Sequence, residues 1–406
     1  MDHFIFSRLI GIFFFFMLFF CSVNALSHVP SDEIKQSREL HVFLEAYATD
    51  PALLQMIQYV QLPKDVRKII AWHRFPNRSE HVNLLLNNTR EVLLKKGEWH
   101  WMDSTLRVLK ATKEELEKDP RLMLILHVNM DKYNGVISYF LKDIPKERIR
   151  HIYLYEDGVG ELFKRPSTFD VCSQQEVDDA LMNYKASKRN IIFGLARIYP
   201  ITVYLFGWDM IQTLPRFSTI INNVKHVDIQ DVNFERYGKV LTREQKDFFY
   251  QLVGFDYNYW SNILKNKKSV MFTMGYHHGN KKAENAERKI LKRLVSDTSF
   301  SGIKPEEYIW LYKPHPSYKA GSSISKMREE FPNMIEIPAQ IPYEIFIMAD
   351  LKPTRTAGYS SSLFYVLQET DILYFIRRGP SDFYLNFLKD ILHLSENKIL
   401  DLEQFM

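Results

Sequence analysis

The sequence predicts an α/β protein built from two similar halves, each a parallel sheet with helices on both faces. Short apolar runs of strand character alternate with helical segments from about residue 40 to residue 155, and the alternation restarts near Ser269. The most distinctive polar clusters also stand at the ends of strand-like runs. Tyr155-Glu156-Asp157-Gly158 follows Ile152-Tyr153-Leu154, and Lys313-Pro314-His315-Pro316 follows Tyr308-Ile309-Trp310-Leu311-Tyr312. In open α/β sheets that is where ligands bind.

Each element has a local reason. Residues 40–44 read as the first strand, and Asp50-Pro51 then opens an apolar helical segment through Leu53, Leu54, Met56, Ile57 and Val60, because proline suits the first helical turn. Residues 68–72 read as a strand, 111–118 as a helix, 122–128 as a strand, 133–141 as a helix and 149–155 as a strand. The stretch 191–257 holds Thr242-Arg243-Glu244-Gln245, a capping box that starts a helix, and reads as a bridge between lobes. In the second half 269–273, 308–312 and 334–337 read as strands, and 281–295, 324–331 and 343–348 as helices. Near the end, Phe387, Leu388, Ile391 and Leu392 have helical spacing.

Composition sets outer limits. With 406 residues, 46% hydrophobic and 25% charged, the chain has ordinary globular composition and length for two cores. A net charge of +4 without a long basic run disfavours a nucleic-acid surface and leaves an anionic small ligand compatible. Residues 9–20 are continuously apolar behind Arg8, and Val23-Asn24-Ala25 supplies small residues at a cleavage-like position, the pattern of a secretory signal. An uncleaved anchor is the competing reading, since the uncharged stretch 9–27 nearly spans a bilayer. Bulky Phe20 fits poorly with lipid attachment at Cys21. Beyond that segment only Cys172 remains, so no internal disulfide is expected and Cys172 reads as a small buried apolar residue.

The expected organisation is therefore 1–25 as signal peptide or membrane anchor, 38–205 as the first lobe with 386–406 packing back on it, and 206–385 as the second lobe.

Three motifs carry chemistry. Glu156 and Asp157 are adjacent, so in an extended segment only one of them faces a cleft, and Gly158 allows a sharp turn. A carboxylate there suits proton removal from a hydroxyl, while the same tripeptide also serves as an ordinary solvated turn. His315 is fixed between Pro314 and Pro316, with the positive charge of Lys313 nearby. That arrangement suits donation to a leaving phosphate or a structural loop. Thr356-Ala357-Gly358 followed by Ser361 and Ser362 has the form of a phosphate cradle at a helix start, with plain serine capping as the alternative.

Taken together and in order, Glu156-Asp157-Gly158, Lys313-Pro314-His315-Pro316, Ile337-Pro338-Ala339-Gln340-Ile341-Pro342-Tyr343-Glu344 and Ser361-Ser362-Leu363 resemble the bacterial sialyltransferases of glycosyltransferase family 80. The likeness runs from about residue 40 onward, is strongest from 241 to 367, and includes Leu241-Thr242-Arg243-Glu244-Gln245. It implies a GT-B fold, two Rossmann-like lobes facing across a deep cleft, that takes CMP-sialic acid as donor with no cofactor and no metal. The implied reaction is inverting transfer of sialic acid to a hydroxyl of a galactose-terminated glycan, of the kind carried on lipooligosaccharide, with α2,3 or α2,6 linkage. By motif, Asp157 is then the general base, and His315 stabilises or protonates the departing phosphate. Ser361 and Ser362 bind that phosphate, Glu344 holds the ribose hydroxyls, and Lys313 and Pro316 line the nucleotide side.

Where relatives carry a tryptophan after the first strand of the second lobe, this chain has Tyr276-His277-His278-Gly279. Tyr276 and His277, with Glu156 and Gly158, are accordingly the candidates for the acceptor side. Transfer of another CMP-activated keto acid such as Kdo, or a secreted binding protein without chemistry, are the rival readings. The resemblance and the N-terminus together lead to the expectation of a monomer in a bacterial cell envelope, exported or attached through residues 9–26.

Overall fold

The computed structural model describes residues 38–45, 49–72, 85–92, 101–130, 135–156, 172–182, 191–275, 280–315, 323–359, 371–377, 385, 388–389 and 393–406. Two all-parallel sheets organise it. The first is formed by β1 (Glu39–Leu44), β2 (Arg67–Ala71), β3 (Thr89–Glu91), β4 (Met123–Asn129), β5 (Ile149–Tyr155), β6 (Ile201–Phe206) and β7 (Asp228–Val232), in the order 3-2-1-4-5-6-7. The second contains β8 (Ser269–Thr273), β9 (Ile309–Lys313), β10 (Ile335–Glu336), β11 (Arg355–Gly358), β12 (Ile372–Arg377) and β13 (Ile399–Asp401), in the order 10-9-8-11-12-13.

Renumbered within its lobe, the second order becomes 3-2-1-4-5-6, the dinucleotide-fold order that also opens the first sheet. The strand order therefore reverses between β1 and β4 in one lobe and between β8 and β11 in the other. These two reversal points are where each sheet opens a crevice at its C-terminal edge.

Each sheet is covered on the face its side chains dictate. Leu40, Val42 and Leu44 join Leu124, Leu126, Val128, Ile152, Leu154, Val203 and Leu205 in an aliphatic layer, against which α2 (Trp101–Lys118) and α3 (Gly135–Asp143) bury Val108, Leu109, Ile137 and Phe140. The opposite face is aromatic and polar, with His41, Phe43, His127, Tyr153, Tyr155 and Tyr204. Against Phe43, Tyr155 and Tyr204 packs the apolar side of α1 (Thr49–Gln61). A parallel sheet buried on both sides normally reads aliphatic on both.

After β7 the chain continues into α5 (Phe234–Val240), α6 (Arg243–Val253) and α7 (Tyr257–Leu264), with α4 (Gln174–Met182) lying earlier, between β5 and β6. The capping box is formed: Gln245 N–H donates to Thr242 Oγ1 at 3.2 Å and Thr242 N–H to Gln245 Oε1 at 2.9 Å. In the second lobe α8 (Lys281–Ser296) sets Ala283, Ala286, Ile290 and Leu294 on Val270, Phe272, Trp310 and Tyr312. Beyond it lie α9 (Ser323–Glu330) and α10 (Tyr343–Met348). Helices α5, α6, α7 and α10 share one apolar cluster with Phe43 and Tyr155 of the first sheet and Met271 and Leu311 of the second. Gly238 of α5 lies so close to α10 that a β-carbon there would stand 2.2 Å from Met348 O.

Two boundaries differ from the sequence reading. The first lobe does not end at residue 205, because β7 pairs with β6 from Thr202↔Asp228 to Phe206↔Val232, so the bridge begins only after Val232. Asp228-Ile229-Gln230-Asp231-Val232 is a half-exposed edge strand whose polar residues hide it from an apolar-run reading. The tail 386–406 does not return to the first lobe as one piece. Ile399–Asp401 is the outer strand of the second sheet, Arg377 pairs with Asp401 across it, and Leu402 packs with α8. Among the described residues of this tail, Leu388 and Leu394 join the shared central cluster and Ile399 packs against it. The expected signal or anchor, 1–25, lies outside the described residues, and among the described residues no helix is long and apolar enough to cross a membrane.

Candidate active site

The C-terminal edge of the second sheet brings several of the expected residues together. Lys313 ends β9 and is buried, and its Nζ donates to Pro314 O and Ala339 O, each at 2.8 Å. The side chain thereby ties the Lys313-Pro314-His315 turn to the 338–341 loop that leads into α10. Burial pushes the ammonium down to about 8, with the Glu344 carboxylate acting in the opposite sense. Glu344 is buried in the first turn of α10, where the helix dipole favours a negative charge. His315 is half-buried just beyond Lys313. A cation and a carboxylate thus stand near each other at one strand end, with His315 two positions further along the chain.

Beside them the reversal point between β8 and β11 is unusually tight. Thr273 Oγ1 donates to Ala357 O at 3.2 Å, Tyr359 N–H donates to Thr273 O at 3.1 Å, and Gly358 adopts φ +117° against the same Thr273 carbonyl. The next turn is anchored from below: Gly275 N–H donates to Oε1 of Glu287, a fully buried carboxylate on α8.

In the first lobe β5 ends in Tyr155 and Glu156. Glu156 is buried, and its Oε2 accepts the backbone N–H of Phe206 at 2.9 Å while its own N–H donates to Tyr204 O at 3.1 Å. The carboxylate expected on the acceptor side is thus turned inward onto β6. At the β1/β4 reversal point, Gln55 Nε2 donates to Leu44 O at 3.2 Å and lies 3.5 Å from Asn129 Oδ1, while Trp72 Nε1 donates to Gln55 Oε1 at 3.3 Å. Glu45 and Asp50 are buried in the same part of the chain.

Of the sequence candidates, Lys313 and Glu344 lie near one another in the second lobe with His315 two positions beyond Lys313 in the chain, and Glu156 stands at the C-terminal edge of the first sheet. Asp157, Gly158, Tyr276, His277, Pro316, Ser361 and Ser362 lie outside the described residues. Gln55, Asn129, Trp72 and Glu287 had no linear signal. Asn129, the last residue of β4 and the register partner of Tyr155, was the most accessible to the same reasoning. Among the described residues no group of three His, Cys, Asp or Glu side chains is placed to hold a metal ion.

Residues 192–382, which include β8 to β12, match the family model described as sialyltransferase PMO188. The matched segment, a little under half of the chain, is similar to that sialyltransferase family. The two parallel sheets correspond to the two Rossmann-like lobes of the GT-B architecture. No curated protein matches the chain. Among solved structures, the α/β-galactoside α-2,3-sialyltransferase of Photobacterium phosphoreum superposes with a TM-score of 0.73 at 17% identity, covering 90% of this chain and 99% of that one. A sialyltransferase GT-B domain from Photobacterium damselae gives 0.68 at 19% identity, covering 89% and 99%. A Photobacterium sp. JT-ISH-224 2,6-sialyltransferase, solved with CMP and lactose, gives 0.71 at 17%, covering 90% and 78%. At these identities the likeness is one of fold. The resemblance read from the motifs is borne out by the family segment, which contains Lys313, His315, Glu344, Ser361 and Ser362.

Proposed function

We propose that the protein transfers sialic acid from CMP-sialic acid to a hydroxyl of a terminal galactoside, with inversion at the anomeric carbon. The observation that carries this reading is the nearness of buried Lys313 and Glu344 at the C-terminal edge of β9, with His315 two positions beyond Lys313, inside the sialyltransferase-family segment. Asp157 removes the acceptor proton, and the resulting oxygen attacks the anomeric carbon as its bond to the CMP phosphate breaks. The departing phosphate gains negative charge, which His315 and the hydroxyls of Ser361 and Ser362 offset, so these groups act most strongly in the transition state. Glu344 accepts from the ribose hydroxyls. Lys313 holds the nucleotide-side loops together through Pro314 O and Ala339 O.

Commitment of Glu156 to the Phe206 N–H supports Asp157 as the base, because the first carboxylate of the pair already serves the fold. The Photobacterium enzyme solved with CMP and lactose supports the choice of donor nucleotide and acceptor class. The test is incubation of the full-length protein with CMP-sialic acid and lactose, with the product linkage read by NMR. Sialyllactose is expected. Absence of both transfer and donor hydrolysis rejects the reading, and preferential use of CMP-Kdo reassigns the donor sugar.

A further inference from the structure

On the polar face of the first sheet, four side chains from β1, β4 and β5 stand in one line. Tyr155 Oη lies 2.7 Å from His127 Nδ1, His127 Nε2 lies 3.0 Å from His41 Nδ1, and His41 Nε2 lies 3.5 Å from the Glu39 carboxylate. Strand register explains the arrangement. Phe43 faces His127 directly and Asn129 faces Tyr155 directly, so both hydrogen bonds run diagonally between strands. Tyr155, His127 and His41 are buried, whereas Glu39 keeps 26% of its side chain in water. The line therefore leads from a hydrated carboxylate to the inner end of β5.

The carboxylate decides the direction of every hydrogen bond in the line. A neutral imidazole carries one N–H. If that proton were on His41 Nδ1, the lone pair of Nε2 would face the Glu39 carboxylate, and two acceptors would meet in a buried place. With the proton on Nε2 the contact becomes attractive, Nδ1 accepts, and His127 must donate from its own Nε2. His127 Nδ1 is then left to accept the Tyr155 hydroxyl proton. Full protonation of either ring is opposed by burial, which outweighs the attraction of Glu39 at His41, with Lys68 and Arg150 opposing it as well. Phe43 and Tyr153 hold the His127 ring between them, with centroids at 4.1 and 4.8 Å.

Tyr155 immediately precedes Glu156, whose carboxylate takes the Phe206 N–H. We propose that Glu39, His41, His127 and Tyr155 form a one-directional relay that positions the carboxylate-bearing end of β5 for proton removal from the acceptor. The inference rests on the assignment of Asp157 as base. None of the four touches substrate in this scheme, so they are positioning residues. Without the Tyr155 hydroxyl, His127 Nδ1 loses its donor, and the end of β5 loses its side-chain tie to β4.

Two measurements on the full-length protein test this. Long-range 1H–15N correlation spectra at neutral pH are expected to show His41 and His127 neutral with the proton on Nε2, and an Nδ1–H form at either ring overturns the relay. Tyr155→Phe is expected to lower kcat about tenfold, since small displacements of a reacting group are costly, while KM for CMP-sialic acid stays within about twofold. Adding His127→Phe to Tyr155→Phe is expected to cost nothing further, because the residues act as a unit. An unchanged kcat in a folded Tyr155→Phe protein, or a loss confined to donor KM, overturns the proposal. If Tyr155→Phe does not fold, or if the wild-type protein transfers no sugar and the functional reading itself fails, the spectra still decide the relay.

Discussion

Gly358 rests directly on the backbone of Thr273: a β-carbon on Gly358 would lie 2.1 Å from Thr273 O and 2.8 Å from Thr273 Oγ1. The two residues end β11 and β8, the pair between which the second sheet reverses its order. With φ at +117°, Gly358 also occupies backbone space that side-chain-bearing residues avoid. Gly358→Ala therefore meets strain and a backbone clash together, and is expected to destabilise the second lobe by about 2 kcal/mol or more. Because Thr273 and Gly358 stand at the reversal point proposed to hold the donor, CMP affinity is expected to fall about tenfold or more. Calorimetric titration of CMP alongside a thermal melt checks both effects.

In the proposed reaction Glu156 and Asp157 divide two tasks between adjacent carboxylates. Glu156→Gln retains an oxygen for the Phe206 N–H and is expected to leave folding nearly unchanged, whereas Glu156→Ala strands that buried donor and is expected to cost about 1–3 kcal/mol. Asp157→Asn is expected to do the reverse, lowering kcat about a thousandfold with stability and CMP affinity preserved. Denaturant unfolding and steady-state transfer on the three variants separate the roles. Wild-type turnover by Asp157→Asn would remove Asp157 as base.

Under the proposed function, Lys313 links pH to donor recognition. Its ammonium ordinarily titrates at 10.5 and is pushed down to about 8 by burial, so the native site loses a positive charge as pH rises through about 8. For an anionic donor, kcat/KM is expected to fall across that range, and the fall is expected to disappear in Lys313→Met at a lower overall rate. Stability moves the other way. Between about 8 and 10.5 the unfolded chain binds the proton that the folded chain has released, so this residue's contribution to folding rises with pH by about 3 kcal/mol. A pH–rate profile and unfolding curves taken across the same range are expected to show opposite slopes.

The legibility of this protein in its sequence follows from how local each signal is. β1, β4, β5, β8 and β9 are short runs rich in apolar residues, and α6 opens with a capping box confined to four positions, so each is visible within a short window. β6 has as strong a run, Ile201–Phe206, but stands inside the segment read as a bridge, while β7 is a polar edge strand without an apolar period. In the site, Lys313 and His315 are conspicuous because prolines flank the histidine. The cluster of Gln55, Trp72 and Asn129 is not, because its members lie 17 and 74 positions apart and meet only once β1 and β4 are neighbours. His41 and His127 are separated by 86 positions. No sequence window contains such pairs, and neither histidine sits in a motif that would draw attention to it.

That buried pair makes the first lobe sensitive to acid. His41 is held from its ordinary 6.5 down to about 4, first by burial, with Glu39 acting against the shift and Lys68 and Arg150 acting with it. His127, between His41 and Tyr155, is lowered well below its ordinary range by burial and by the neighbouring imidazoles. Both rings are therefore neutral in the folded protein at pH values where the unfolded chain has already taken up protons. Stability is expected to fall as pH drops from about 6.5 to about 4, losing about 3 kcal/mol through His41 alone, with His127 adding to it in the same direction. Replacing both rings, as in His41→Phe with His127→Phe, removes the groups that bind those protons and also removes buried polar contacts. The double variant is expected to be less stable at pH 8 yet to show a flatter decline between pH 6.5 and 4. Urea unfolding at intervals across that range measures the slope directly, and an equally steep decline in the double variant would move the acid sensitivity to other groups.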